Sequence, residues 1–91
     1  MTHHVYLLAS RPRGALYVGR TADLPARVAA HRAGTVPGHA RRYGIATLVW
    51  FEAQAGLKES LRRVRSLKRW RRAWKLAMVE AANPRWRDVE I

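Results

Sequence analysis

The stretch HVYLLASRPRGALYVG, residues 4–19, decides the fold because it places two short apolar runs on either side of turn-forming residues. The first run, residues 4–10, has the length and apolar composition of a buried strand. Pro12 fixes its own φ and Gly14 permits a positive φ, so a turn is expected between the runs. Residues 15–19 are predicted to form a second strand, and the whole stretch is predicted to be an antiparallel hairpin.

A helix is predicted to follow, over residues 22–33. Thr21 is the expected N-cap, and Asp23 in the first turn would interact favourably with the helix dipole. Pro25 also falls in the first turn, where its missing N–H costs little. Gly34 is a natural C-terminal stop, since helices often end at a glycine.

The rest of the chain adds one strand and more helix. Residues 35–43 are predicted to form a basic loop, and residues 44–52 a third strand rich in β-branched and aromatic side chains. Residues 57–82 have helical composition, but their apolar line shifts near residue 69, which indicates two helices or one bent helix. The line comprises Leu57, Leu61, Val64, Leu67, Trp70, Trp74, Ala77, Met78 and Ala81. The order ββαβα(α) predicts a small α+β fold, with a three-stranded antiparallel sheet flanked by helices.

Length and composition restrict the class of protein. The chain has 91 residues, 48% of them hydrophobic, which suits one domain over residues 1–91 with a small core. It contains no cysteine, which excludes disulfides and thiolate metal sites and suits a reducing cytoplasm. No apolar run approaches the roughly 18 residues of a membrane span or resembles a signal peptide. We therefore expect a cytoplasmic domain without a membrane partner.

Positive charge is the strongest compositional feature. Eighteen Lys and Arg face six Asp and Glu, a formal net charge of +12, and fifteen of the eighteen are Arg. The planar guanidinium matches pairs of phosphate oxygens, so a polyanion is the favoured partner, with nucleic acid ahead of acidic lipid. A solvated basic surface, or an arginine-rich genome, is the alternative. Half of the cations fall in residues 58–75: Lys58, Arg62, Arg63, Arg65, Lys68, Arg69, Arg71, Arg72 and Lys75.

Several kinds of active site are missing from the sequence. There is no glycine-rich phosphate loop, no His/Cys cluster with metal-binding spacing, and no Ser/His/Asp set that spacing supports. The carboxylates are scattered, at Asp23, Glu52, Glu59, Glu80, Asp88 and Glu90. A two-metal nuclease site normally needs clustered carboxylates, so that mechanism is disfavoured.

One face of the predicted helix carries polar side chains. Asp23, Arg27 and His31 follow i, i+4, i+8 spacing, while Leu24 and Val28 mark the neighbouring face that should dock on the sheet. Arg27 and His31 would suit a phosphate, one as a permanent cation and the other as a titratable donor. Spacing alone favours the simpler interpretation, a solvated helix face.

Two tyrosines eleven positions apart, Tyr6 and Tyr17, link the hairpin to a known family. By spacing alone they are ordinary strand aromatics, but VYLLAS followed by YVG resembles the paired signature of the GIY-YIG nuclease superfamily. The resemblance is closest to its small single-domain bacterial branch. It continues in order through LYVGRTADLPARVAAHRAG, VPGHARRYGIATLVWFE, LKRWRRAWK and NPRWRDV, and so covers nearly the whole chain. His4-Val5-Tyr6 departs from the signature by lacking its glycine.

The resemblance implies a GIY-YIG endonuclease fold and hydrolysis of DNA phosphodiester bonds by one divalent metal, Mg or Mn, with an activated water. Tyr17 would orient that water or act as general base, and Tyr6 would assist at the scissile phosphate. Arg27 would neutralise charge on the phosphoryl oxygens, the electrostatic contribution that usually dominates such catalysis. His31 would share a proton with a tyrosine or the phosphate, and Asn83 would steady the site.

Val64 departs from the family at the metal ligand. In the branch, the segment before LKRW usually contains Arg-Glu, and this alignment places Arg63 on the arginine and Val64 on the glutamate. Valine has no oxygen to offer a hard cation. Metal-dependent cleavage is therefore expected to be weak or absent, unless another glutamate reaches the site. The candidates are Glu52, Glu59 and Glu80, although Glu59 lies about 500° round the helix from Val64.

Nucleic-acid contacts are expected from basic and aromatic side chains. The candidates are Arg20, Arg41, Arg42, Tyr43, Arg63, Lys68, Arg69 and Arg72. If about five cations touch phosphates, the logarithm of the binding constant should fall with the logarithm of salt at a slope of about −4 to −5. Little sequence preference is expected. Trp70 and Trp74 either stack on unpaired bases or, as their i, i+4 spacing favours, close the core.

Three functions stay open on the sequence. The first is a DNA nuclease, acting for example on branched or damaged DNA in repair. The second is a degenerate or inactivated domain that only binds DNA or structured RNA, without sequence specificity. The third is a basic module that binds a protein partner, such as a ribosomal or repair component.

Overall fold

The computed structural model describes residues 2–91 and confirms the predicted α+β architecture. Within these residues it has three strands and four helices, and the first two strands form the predicted hairpin. The strands are His3–Ala9 (β1), Leu16–Thr21 (β2) and Thr47–Gln54 (β3). The helices are Leu24–Arg32 (α1), His39–Arg42 (α2), Leu57–Arg69 (α3) and Arg72–Ala82 (α4).

β1 is the central strand of an antiparallel sheet with the order β2-β1-β3. Its residues 5–9 are completely buried, because strands flank both of its edges and helices cover both faces. Tyr6 lies opposite Gly19 of β2 and opposite Phe51 of β3. The pairing with β3 shifts in register just after Leu7.

Helices pack on both faces of the sheet and create two apolar clusters. Alternation along β1 sends Val5, Leu7 and Ala9 to one face and Tyr6 and Leu8 to the other. The first cluster, with α3 and α4, contains Val5, Leu7, Ala9, Val18, Val49, Leu67, Leu76, Val79 and Trp86. The second cluster, with α1 and α2, contains Tyr6, Leu8, Leu24, Val28, Ala40, Ile45 and Leu48.

α1 begins two residues later than predicted, with Asp23 rather than Thr21 as its N-cap. The Asp23 carboxylate accepts a hydrogen bond from the Ala26 backbone N–H at 3.2 Å. The Thr21 hydroxyl instead bonds the backbone of Asp23, just before the helix. Both residue types are common N-caps, so the sequence does not separate them. Pro25 lies in the first turn as predicted, and Gly34 follows the helix with a φ of 71°.

The prediction of a loop over residues 35–43 is wrong in part, because this segment contains α2. Four residues are too few to show helical periodicity, and an isolated turn of helix is unstable in water. Burial of Ala40 in the second cluster supplies the missing stabilisation. Gly38 and Gly44 flank the helix with positive φ, which lets the chain turn sharply at both ends.

Residues 57–82 form two separate helices, one of the two alternatives that the shift of the apolar line near residue 69 indicates. Trp70 and Arg71, between α3 and α4, are both extended with a ψ of 145°. Trp70 is half-buried against the first cluster, as expected for a core residue. Trp74 is 53% exposed, so the expectation that it closes the core is wrong.

The first half of α3 is also more exposed than its apolar line predicts. Leu57 and Leu61 are each about half exposed, whereas Leu67 is completely buried. α3 therefore docks on the sheet through its C-terminal half and through Ser60, which is buried against β2. None of the helices in residues 2–91 is long and apolar enough to cross a membrane.

The segment after α4 covers the outer edge of β3. The Val89 backbone N–H donates to the Leu48 carbonyl at 2.8 Å, and the Leu48 N–H donates to the Asp88 carboxylate at 3.2 Å. Asp88 also pairs with Arg32 of α1 at 2.7 Å. These contacts protect a strand edge that would otherwise expose unpaired backbone groups.

Candidate functional site

A buried hydrogen bond joins the central strand to α1. The Tyr6 hydroxyl lies 3.0 Å from Nε2 of His31. Tyr6 is completely buried and His31 is 6% exposed, so the prediction of a solvated helix face is wrong at His31. His31 lies three residues after Val28, and positions i and i+3 share one side of a helix. The ring is therefore part of the side of α1 that faces the sheet.

Gly19 makes room for the ring of Tyr6. A Cβ atom at this position would lie 2.6 Å from the Tyr6 hydroxyl oxygen and 2.7 Å from Cζ, much closer than packed atoms approach. A glycine inside a strand otherwise weakens it, and often marks a site of close approach. The sequence signal for this role is the position of Gly19 inside a predicted strand, to which the sequence alone assigns no function.

Tyr17 extends this cluster toward solvent. Its ring centroid lies 5.0 Å from that of His31 with an interplanar angle of 60°, and 6.1 Å from that of Tyr6. Such tilted and edge-to-face contacts are favourable for aromatic rings. Tyr17 is half-buried on the outer strand β2, so its phenol is the more accessible of the two.

Arg27 supplies the positive charge of the site. It is exposed on α1, one turn before His31. The pKa of Arg27 is raised, chiefly by the contact of its side chain with the Tyr6 hydroxyl and with a further contribution from Tyr17. The guanidinium is therefore close enough to both phenols to interact with them, and it remains exposed to solvent.

Burial controls the protonation of the inner pair. It raises the pKa of Tyr6 to about 12, although the neighbouring Arg27 acts in the opposite direction. Burial, together with the positive charge of Arg27, lowers the pKa of His31. At pH 7 Tyr6 is therefore a neutral phenol and His31 an uncharged imidazole.

The structure brings together four of the five residues predicted to be catalytic, and places Asn83 elsewhere. Asn83 lies at the end of α4, where its amide nitrogen donates to the carbonyls of Val49 and Arg87 at 3.0 and 2.8 Å. Its oxygen accepts from the Arg87 N–H at 3.1 Å. These bonds fasten the C-terminal segment to β3, and a contribution of Asn83 to the site stays a prediction.

Val64 lies half-buried against the first cluster, on the opposite face of the sheet from Tyr6. The three glutamates considered as replacements do not form a metal site with it. Glu52 and Glu80 form ion pairs with arginines at 2.9 and 2.7 Å, and Glu59 is exposed. In the described part of the chain, no three His, Asp or Glu side chains come close enough to hold a metal ion. The residues present therefore do not fit the divalent metal that the resemblance implies.

Three of the eight predicted nucleic-acid contacts are engaged within the fold. Arg20 donates from Nε to the Ser60 hydroxyl at 2.9 Å and so ties β2 to α3. Arg63 pairs with Glu52 of β3 at 2.9 Å. Arg72 donates to backbone carbonyls of the hairpin turn. A role for these three arginines in nucleic-acid binding stays a prediction.

The other five predicted contacts are exposed to solvent: Arg41, Arg42, Tyr43, Lys68 and Arg69. At α2, the Arg42 guanidinium carbon lies 5.8 Å from the centroid of the Tyr43 ring. The centroids of the His39 and Tyr43 rings lie 4.7 Å apart with an interplanar angle of 46°. The positive surface is therefore divided between α2 and the C-terminal half of α3.

Comparison with known proteins agrees with the resemblance carried by the hairpin. The sequence matches the GIY-YIG catalytic domain family over residues 2–85. UPF0213 protein SH2523 of Staphylococcus haemolyticus is 32% identical over 78 residues, which cover 86% of this chain and 94% of that protein. The solution NMR structure of UPF0213 protein BH0048 from Bacillus halodurans has a TM-score of 0.58 at 27% identity, covering 97% of this chain and 93% of that one.

Proposed function

The chain belongs to the GIY-YIG catalytic domain family, and we propose that it binds DNA through a phosphate site on α1 and β2 while its metal-dependent hydrolysis is weak or absent. Nuclease chemistry in this family generally depends on a metal. The observation that carries the proposal is the contrast between two places in the fold. The cluster of Tyr6, Tyr17, Arg27 and His31 is assembled, whereas valine occupies the expected position of the metal-binding carboxylate.

The exposed half of the cluster suits a phosphodiester group. Arg27 presents a permanently charged guanidinium, which can donate two parallel hydrogen bonds to phosphate oxygens. Tyr17 lies beside it on β2 and adds a hydroxyl donor. Tyr6 and His31 lie on the buried side of Arg27 and Tyr17, and their hydrogen bond fixes α1 against the sheet.

The buried pair, Tyr6 and His31, is a poor activator of water at neutral pH. Burial raises the pKa of Tyr6 to about 12, so at pH 7 Tyr6 is a neutral phenol and a poor base. The imidazole of His31 is neutral, but it is buried and its Nε2 is engaged with Tyr6. Among residues 2–91, no cluster of carboxylates or histidines is placed to hold a metal that would supply this activation. Binding without efficient hydrolysis follows from this arrangement.

The charge of the chain supports DNA as the ligand class. A net charge of +12 gives a strong, sequence-independent attraction to phosphates. If about five phosphates are neutralised, the affinity should fall with a log–log salt slope of about −4 to −5. A protein partner bound mainly through apolar contacts would show a much weaker dependence on salt.

The test is DNA binding by the native chain and by two variants that lose the same charge. Arg27→Ala removes the guanidinium of the cluster, and Arg85→Ala removes an exposed cation beyond α4. We expect Arg27→Ala to weaken binding by about 10-fold or more, as for a charge-assisted contact, and Arg85→Ala to change it by less than about threefold.

Two results would overturn the proposal. Equal losses from Arg27→Ala and Arg85→Ala would show that binding reflects overall charge rather than this site. Salt-insensitive or absent DNA binding by the native chain would remove DNA as the ligand and favour a protein-binding module.

A further inference from the structure

Trp74 is a large apolar side chain that the fold leaves in solvent. It is 53% exposed, near the start of α4. The same helix buries Leu76 and Val79 against the sheet. Trp74 lies about 200° round the helix from Leu76, so it points away from the core. Tryptophan is enriched at interaction surfaces compared with the rest of the protein surface.

The ring of Trp74 is held in place by its neighbours. Its centroid lies 6.2 Å from that of Trp70 with an interplanar angle of 82°, an edge-to-face contact. The guanidinium carbon of Arg71 lies 5.5 Å from the same ring, at cation–π distance. Trp70 is itself fixed by the core and by Arg63, whose guanidinium lies 5.3 Å from its ring.

The surroundings of Trp74 are strongly positive. Residues 58–75 contain nine cations and a single carboxylate, Glu59. Lys68, Arg69 and Arg71 are exposed. The ion pairs found within residues 2–91 involve Arg13, Arg32 and Arg63, which leaves these three cations available to a ligand.

We propose that Trp74 is a stacking platform for an unpaired base of a nucleic acid, with the surrounding cations on the adjoining phosphates. Every base has an aromatic face, so such a platform accepts any sequence. A base within a duplex is already stacked on its neighbours and cannot reach the ring. The surface therefore favours single strands, frayed ends or branch points over continuous duplex.

Charge and shape both favour this ligand over a protein. An apolar protein surface would bury the ring together with several arginines, and removing such charges from water without partners is costly. Unpaired nucleotides supply an aromatic face for the ring and phosphates for the cations at the same time. The inference rests on the proposed nucleic-acid binding, but it concerns a surface on α4 that is separate from the cluster on α1.

The experiment compares binding of an oligothymidylate and of a duplex by four forms of the chain. Trp74→Leu removes the aromatic face and keeps an apolar side chain, whereas Trp74→Tyr keeps an aromatic face. Phe51→Leu is the matched control, since Phe51 is an exposed aromatic residue on β3. Circular dichroism confirms that each variant is folded.

We expect Trp74→Leu to weaken binding of the oligothymidylate by about 5- to 150-fold, the range for one stacked base, and to weaken duplex binding much less. Trp74→Tyr should retain most of the single-strand affinity, and Phe51→Leu all of it. The oligothymidylate should also quench tryptophan fluorescence in the native chain and less in Trp74→Leu.

Native single-strand affinity in Trp74→Leu would overturn the inference, and so would an equal loss for single strand and duplex. In both cases the native chain still binds DNA, so the proposed function would survive. If the native chain binds neither probe, both the proposed function and this inference fail.

Discussion

The Tyr6 hydroxyl and Nε2 of His31 lie 3.0 Å apart, although the residues are 25 positions apart in sequence. The bond is buried and joins the middle of β1 to the last turn of α1. Burial keeps both side chains neutral at pH 7, and the ring of Tyr17 contacts that of His31. The site therefore depends on the same contact that fixes the helix to the sheet, and changes at this pair should affect stability as well as binding.

Acid should destabilise the fold through His31. Its pKa is lowered in the folded state, so the unfolded chain binds more protons once the pH falls below about 6.5. Stability contributed by neutral His31 is present above that pH and is lost as the pH falls through the folded pKa. We expect the melting temperature to fall between about pH 7 and pH 5, measured by thermal unfolding across that range.

The matched variant is His31→Gln, whose amide can replace the bond of Nε2 but does not titrate. It should show a weaker dependence of melting temperature on pH over the same interval. The other histidines, His3, His4 and His39, are unchanged in it, so the difference between the two curves belongs to His31. Parallel curves would contradict the assignment.

Gly19→Ala should be strongly destabilising. The new methyl group would lie 2.6 Å from the Tyr6 hydroxyl oxygen, and Tyr6 is completely buried and cannot move away freely. Overpacking of this kind costs about 1–3 kcal/mol in the free energy of unfolding, measurable by urea denaturation. Gly56→Ala is the control, because its methyl group would meet the flexible carboxylate of Glu59 at 3.1 Å. A similar small effect of both substitutions would show that Tyr6 is not held in place.

Asn83→Ala should lower stability without weakening DNA binding by the folded protein. The change leaves the Val49 carbonyl without its side-chain donor and should cost about 1–3 kcal/mol in the free energy of unfolding. Gln54→Ala, which removes an amide bonded to the Glu52 carboxylate, should cost less than about 1 kcal/mol. Unchanged stability combined with lost DNA binding would instead place Asn83 in the site, as the family resemblance implies.

The order of elements could be predicted from the sequence because each signal is local. Pro12 and Gly14 mark the hairpin turn, and Leu24 and Val28 mark the buried side of α1, as found. α2 could not be predicted, since four residues show no periodicity and the helix depends on burial of Ala40. The gap between α3 and α4 contains neither Gly nor Pro, so the sequence indicates only a shift of the apolar line.

The residues of the site could be predicted from the sequence, but their burial could not. Tyr6, Tyr17, Arg27 and His31 could be named from the family resemblance, but burial of the Tyr6–His31 pair depends on how α1 rotates against the sheet. The sequence could not predict which arginines form contacts within the fold and which are exposed to solvent. Arg20, Arg63 and Arg72 are the same residue type as the exposed arginines. They differ only in the partners that the fold brings close: a hydroxyl for Arg20, a carboxylate for Arg63 and backbone carbonyls for Arg72.

The central claim is that the chain retains the phosphate site and lacks the metal-binding carboxylate at position 64. The most direct measurement is the rate of DNA nicking with Mg²⁺ or Mn²⁺ by the native chain, Val64→Glu and Val64→Gln. Glutamine matches the size of glutamate without its charge, and so controls for disturbance of a half-buried position.

We expect slow or undetectable nicking by the native chain and by Val64→Gln. The family resemblance implies that Val64→Glu should be at least about 100-fold faster, although Val64 packs on the face of the sheet opposite Tyr6, since a bound metal contributes several kcal/mol to the stabilisation of transition-state charge. Efficient metal-dependent nicking by the native chain, or equal rates for the Glu and Gln variants, would contradict the claim.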